Sequence, residues 1–385
     1  MTEKFQRFAS ASCFICLFAY AATLCVSHAC NNEINRLFHI TNTHMGLLFM
    51  MIYVGFIPAT LLTGRLSDTK GKLPVVFAGT VFMILGLLLF ILTKNFYVGL
   101  GAMFLMGLGG GCSETNATGL IGDIYTGAKR TRMLSFVQTS FGLGALAGPL
   151  IAGTFLKYTD SYNGAFITIS AITFIGFLFV LFSLMNNEEK PVGVNTEKVP
   201  WNVILRDKYI WLIVAGLILY CGAELGFSGW IAVYFEKILC LGKSYAVQSV
   251  ALIWLGIATG SAFFAMLAKK LTPLNILKIS LSGVILMFCL FYVKIPVCAV
   301  IGAYAVGFFL GPIFPTIIGL GSGRYKEYSG SVNSVLFTAG NLGGALFPLV
   351  MGVLVDSTDV KTAVLIVPAL TIINLFVFLN RVFKN

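Results

Sequence analysis

Two glutamates stand in stretches that are otherwise long and apolar. Glu114 lies in GLGGGCSETNATG (Gly107–Gly119), within an apolar run that begins near Phe96. Glu224 lies in LYCGAELGFSGWIAVYFEK (Leu219–Lys237). A carboxyl turned toward lipid costs roughly 2.5–3.5 kcal/mol on insertion scales, so an acid in a membrane helix belongs to an internal site. The chemistry open to it there is reversible protonation, neutral when loaded and charged when released. The competing reading is structural: an internal hydrogen-bonded carboxyl that locks helices together.

Helical spacing sorts the neighbours. Gly107, Gly111, Glu114 and Thr118 follow i, i+4, i+7, i+11 and fall within about 60° of arc. That face can approach a second helix or line a cavity. In the second stretch, Tyr220, Glu224 and Phe227 share one face. Gly222, Gly226 and Gly229 share roughly the opposite one. Trp230 falls about 120° from Glu224 on a regular helix. It reaches the same cavity only if the glycines let the helix bend or unwind, as helices do at transporter sites.

The elements that must position these groups are membrane helices. The chain of 385 residues is 58% hydrophobic and 11% charged, with mean hydropathy +0.91. Soluble globular chains carry about 25% charged residues. Runs of bilayer-crossing length, roughly 17–25 residues, are expected near Phe8–Cys30, His44–Thr63, Leu73–Thr93, Phe96–Ile121, Met133–Leu156 and Ala165–Met185. Six more follow, near Tyr209–Tyr234, Ala246–Leu267, Leu274–Val293, Val297–Leu320, Val332–Val355 and Thr362–Leu379. With the N-terminus inside, 19 of the 26 Lys and Arg residues fall in inner segments and 7 in outer ones. This follows the positive-inside rule and absorbs the net charge of +11. Nucleic acid is therefore not an expected partner. A multi-pass protein of the inner membrane, monomeric, with both termini cytoplasmic, is expected. The first apolar run lacks a small-residue cleavage site. Cys13 and Cys16 form a C-x-x-C without the context of a redox motif and read as small apolar residues.

The chain carries two versions of one plan. A shift of 199 lays Ser140–Asp160 over Ala339–Asp359, matching Gly144 with Gly343, Pro149 with Pro348, Gly153 with Gly352 and Asp160 with Asp359. A shift of 200 matches Gly107 with Gly307, Gly111 with Gly311, Gly119 with Gly319 and Tyr125 with Tyr325. Parallel six-helix repeats are a transporter architecture, with the substrate near mid-membrane between them. Residues 1–185 form the expected first bundle, 186–208 a cytoplasmic linker and 209–385 the second bundle. The position matching Glu114 is Phe314, so the fold itself does not require an acid there.

GRLSDTKGK (Gly64–Lys72) falls between the second and third spans and reads as a tight polar turn. It resembles the G-x-L-x-D-x-x-G-[RK] loop of the major facilitator superfamily through Gly64, Leu66, Asp68, Gly71 and Lys72. The resemblance implies an all-α membrane fold of twelve helices in two six-helix bundles. It also implies a gating role for Gly64, Asp68, Gly71 and Lys72. Gly109–Glu114, Gly222–Glu224 with Gly229–Trp230, and GPIFPT (Gly311–Thr316) resemble the fucose–proton symporter family within that superfamily. That likeness implies proton-driven uptake of a monosaccharide, expected to be a hexose or deoxyhexose, with Glu114 carrying the proton. Glu224, a glycine-flanked acid beside an indole, is a further candidate for coupling and recognition. Alignment on ITNTHMGLL places His28 near an aspartate that some relatives carry in span one.

Sugars need multidentate hydrogen bonds and an aromatic face. His28, Asn116, Gln138, Tyr220, Glu224, Trp230 and Asn341 are the candidates for that task; each polar one can equally serve as interhelical glue. GALAGPLIAG (Gly144–Gly153) resembles the span-five pattern of proton-coupled drug exporters, which keeps a drug-efflux antiporter open as an alternative. A third class is a membrane sensor that does not transport. H-E-x-x-H, G-x-S-x-G and G-x-x-x-x-G-K are absent from the sequence, and no enzyme activity, cofactor or metal is expected.

Overall fold

A computed structural model describes residues 3–186, 201–204, 206–325 and 329–380, with side chains at all of these except 64, 65, 68, 69, 128, 131, 201, 202 and 329–331. Regular structure among them is helical throughout: α1 (Glu3–Ala29), α2 (Asn31–Phe38), α3 (Asn42–Lys70), α4 (Lys72–Leu92), α5 (Phe96–Ile124), α6 (Gly127–Thr159) and α7 (Asn163–Met185) come first. The short α8 (Trp201–Ile204) precedes α9 (Lys208–Lys237), α10 (Lys243–Leu267), α11 (Pro273–Tyr292), α12 (Pro296–Leu310), α13 (Ile313–Arg324), α14 (Ser329–Ser357), α15 (Val360–Ala363) and α16 (Ile366–Phe378). Twelve spans among the described residues are long and apolar enough to cross a membrane, α12 with α13 forming the tenth and α15 with α16 the twelfth. Helices satisfy their backbone polar groups internally, which hydrocarbon demands.

The chain divides into two units. One comprises Met1–Ile40 and Leu47–Thr196; the other comprises Thr41–Gly46 and Glu197–Asn385. The first turn of α3 thus groups with the second unit. There the Asp356 carboxylate accepts from the Asn42 and Thr43 backbone N–H groups at 3.0 and 2.7 Å, and from their side chains at 2.7 and 2.6 Å. It satisfies donors that a helix start leaves open.

Packing within each unit repeats the other. In the first, α1 lies against α6 and α7, and α4 against α5 and α7. In the second, α9 lies against α14 and α16, and α11 against α12 and α16. The matched glycines are the seams. A Cβ on Gly107 or Gly111 would collide with the Ile52 or Phe56 carbonyl of α3. One on Gly307 or Gly311 would meet Ile253 or Ile257 of α10 in the same way. Gly144 abuts the Phe18 carbonyl of α1, and Gly343 the Ile218 carbonyl of α9. The matched tyrosines act alike as well. Tyr125, which caps α5, shares a 3.0 Å hydrogen bond with Ser10 of α1; Tyr325, which caps α13, donates to Asp207 at the start of α9, also at 3.0 Å. Gly119 and Gly319 are not equivalent: the first lies under the Lys72 stem, the second faces open space.

The expected polar turn is corrected. The segment Gly64–Lys70 continues α3 as helix, and the turn is confined to Gly71, whose φ of 90° suits glycine. The seventh span does not unwind at its glycines, because α9 is continuous. The break falls in the tenth span at Gly311–Pro312, where proline has no N–H to extend α12. Of the expected linker, residues 187–200 and 205 lie outside the described residues.

Candidate proton and substrate site

In the first unit the site forms around Tyr20 of α1. Its ring lies where a side chain on Gly110 would be, so that glycine exists to admit it. The ring stacks on Phe56 of α3 at 5.7 Å and tilts against Phe141 of α6 at 6.2 Å. Glu114 follows Gly110 by one turn on the same face, which turns it to the side that the Tyr20 ring occupies. Glu114 is half-buried and makes no hydrogen bond among the described residues. The glycine run therefore packs in several directions at once: Gly107 and Gly111 on α3, Gly109 on the Gly79 carbonyl of α4, Gly110 on Tyr20. What is left for Glu114 is the tyrosine-lined side.

In the second unit the counterpart is Tyr220. Its O–H donates to Glu224 Oε1 at 2.8 Å, along one face of α9. Both residues are buried. The Tyr220 ring lies 6.2 Å from Phe314 of α13, which in turn meets Phe337 of α14 at 5.6 Å. The opposite glycine face packs on α14: Gly222 against Phe347 and Gly226 against Met351. Trp230 joins that packing side. It is wholly buried, and its indole N–H donates to the Pro348 carbonyl at 3.0 Å. In α14 that carbonyl precedes the turn at Gly352, against which the indole also rests.

The other candidates scatter. Asn116 is buried and donates to Thr63 Oγ1 at 3.2 Å and to the Cys112 carbonyl at 2.8 Å, tying α5 to α3. His28 is fully buried near the end of α1, edge-on to Phe49 at 4.7 Å, and neither ring nitrogen has a hydrogen-bond partner among the described residues. Gln138 is exposed on α6. Asn341 turns its amide back to the Phe337 carbonyl of its own helix at 2.8 Å. The Asp68 side chain and the surroundings of Gly64 lie outside what the structure describes. Lys72 pairs with Asp123 of α5, its stem crossing Gly119. Cys13 and Cys16 are buried in the apolar core of the first unit.

Tyr20, Asp123 and Asp356 were not singled out in the sequence. The signal for Tyr20 was present, since the shift that matches Tyr125 with Tyr325 also matches Tyr20 with Tyr220.

Twelve spans, a duplicated packing plan and a carboxyl in each half narrow the kinship. Residues 9–348 match the Major Facilitator Superfamily. The chain belongs to the Major Facilitator Superfamily. It is a membrane transporter of that superfamily, with the superfamily's fold of two six-helix bundles. The glucose/mannose transporter GlcP of Bacillus subtilis (strain 168) is 24% identical over 329 residues, spanning 82% of this chain and 80% of that one. A protein TsgA homolog of Erwinia tasmaniensis is 24% identical over 358 residues, 91% of this chain and 89% of its own. Among solved structures, a bacterial homolog of the human lysosomal transporter Spinster, inward-facing and occupied, superposes with a TM-score of 0.76. The alignment covers 98% of this chain and 97% of that one at 14% identity, a likeness of fold.

Proposed function

We propose that this superfamily member imports a monosaccharide, a hexose or deoxyhexose, together with protons by alternating access. The observation that carries the reading is Glu114: a half-buried carboxyl in a membrane helix, beside a tyrosine, with no cation against it among the described residues. Such a group is costly to hold charged away from water, so a carrier that reorients with Glu114 neutral and releases the proton afterwards avoids that cost. The likeness to GlcP supports a sugar as the substrate. Of the polar candidates, His28 and Gln138 keep their hydrogen-bonding groups unspent on helix packing and suit sugar hydroxyls best. Tyr220, Glu224 and Asn341 are the candidates from the second unit. Gly71 and Lys72, with Gly64 and Asp68, belong to the proposed inner gate. Placement in the inner membrane as a monomer, with both termini cytoplasmic, completes the reading.

The experiment is uptake by proteoliposomes offered D-glucose, D-mannose and L-fucose under imposed proton or sodium gradients. Each proton entering contributes roughly 2.3 kcal/mol per 100 mV. Glu114→Gln keeps shape and hydrogen bonding but cannot titrate. The variant is expected to lose proton-driven accumulation and to keep counterflow exchange. Wild-type accumulation in that variant would return Glu114 to a packing role, and no sugar uptake by the wild type would end the monosaccharide reading.

A further inference from the structure

The repeat supplies a second carboxyl with the same kind of partner. Tyr20 and Tyr220 occupy equivalent positions, 200 residues apart, on the first helix of each half. Each faces the same register of its fourth span: Tyr20 the Gly110–Glu114 face of α5, Tyr220 the ring of Phe314 on α13. The second half has no acid at 314, yet its tyrosine is not left alone. The carboxyl comes instead from α9 itself, one turn along at Glu224, and takes the Tyr220 hydrogen bond at 2.8 Å. The residue matching Glu224 in the first half is Leu24, which is buried. A leucine therefore satisfies the fold at that register, and packing does not explain the glutamate. Among the described residues, the titratable groups recorded against these carboxyls are Tyr20 for Glu114, and Tyr220 and Cys221 of its own helix for Glu224. On the Tyr220 side the facing ring is Phe314 of α13, while Phe347 and Met351 of α14 fill the opposite, glycine face; among the described residues no ion pair joins a cation to either acid.

We propose that each half holds one proton on its own tyrosine–carboxyl couple, so that two protons accompany each substrate molecule. This rests on the proton-coupled reading above and goes further, to the stoichiometry. Both carboxylates take up a proton on the loading side, and both release it on the other. A neutral sugar then moves with two positive charges per cycle. Glu114 is the obligatory member, being the half-exposed one; Glu224 adds the second proton. Tyr20 and Tyr220 are positioning residues.

Two arms test it. In proteoliposomes, proton and sugar fluxes are measured together, a pH dye inside the vesicles reporting protons and labelled D-glucose, D-mannose or L-fucose reporting sugar. The wild type is expected to move two protons per sugar, and Glu224→Gln one, the ratio being read from whatever sugar flux the variant retains. With one proton, 100 mV supports about 50-fold accumulation of a neutral solute; with two, about 2,000-fold. An unchanged ratio in Glu224→Gln overturns the proposal and leaves proton-coupled uptake standing. The second arm needs no substrate. A pH-difference infrared spectrum of the detergent-purified protein is expected to show a protonated-carboxyl band that Glu224→Gln removes. Tyr220→Phe, which keeps the acid and removes its donor, is expected to shift that band. If neither variant changes the spectrum, Glu224 does not titrate and the two-proton scheme falls, whatever the sugar arm gives. If the wild type drives no uptake while the band behaves as expected, it is the transport reading that fails.

Discussion

At the scale of single residues, the same chemical type does different work according to what its neighbours leave unsatisfied. Trp230 and Tyr220 sit on one helix; the indole N–H is spent on a main-chain carbonyl, the phenol O–H on a carboxylate. Trp230→Phe keeps most of the ring volume and removes the indole N–H, leaving the Pro348 carbonyl the N–H of its own helix. The expected result is a loss of about 0.5–1.5 kcal/mol in stability, read as thermal unfolding in detergent, with sugar affinity unchanged. A fall in affinity at unchanged stability would put the indole at the substrate instead. Part of this was legible beforehand. The heptad-like arithmetic put Tyr220 with Glu224 on one face and the glycines on the other, and the structure has that division. Trp230 reaches the cavity side only if α9 unwinds. It does not, because Gly222 and Gly226 are filled by Phe347 and Met351 and the helix has no proline to break it.

At the scale of elements, helix ends carry the information that hydropathy misses. The expected boundary of the second span stopped at Thr63, where apolar character ends, while α3 runs on to Lys70 because polar residues continue a helix as readily until Gly71 stops it. Partners such as Asp356 are invisible to periodicity, since they join residues more than 300 positions apart. Asp356→Ala removes the cap of α3. It is expected to lower stability by about 0.5–2 kcal/mol, checked by thermal unfolding; Asp356→Asn should recover part of the loss.

Asp207 gives a pH dependence. Burial alone would push its carboxyl up, but the Tyr209 N–H, Arg324 and the Tyr325 O–H together hold it below the usual carboxylate range. A depressed folded value stabilises at pH above the unfolded value, about 3.9, and the contribution is lost as pH falls through the folded one. Wild-type thermal stability is therefore expected to drop below about pH 4, and Asp207→Asn to start lower and drop less. An identical acid profile in the variant would remove Asp207 from the account.

At the scale of the whole molecule, composition and repeat made the architecture readable: twelve helices follow from twelve apolar runs, and the glycine matches mark seams that recur in both halves. Substrate identity is not written in such features, because one carbonyl-to-glycine seam serves any cargo. The expected orientation rests on the 19-to-7 division of Lys and Arg. Reporter fusions after Asn385 and within 186–208 are expected to read as cytoplasmic, and an external signal from either would overturn the orientation.

The repeated tyrosines have a bearing on how such a chain can change over generations. Tyr220 has two places within reach from which an acid can meet it, register 314 on the tenth span and register 224 on its own helix. A lineage can gain the acid at one register before it gives up the acid at the other. The half-molecule then passes through a form with both and never through a form with neither, so the site can drift from one helix to another without an inactive ancestor.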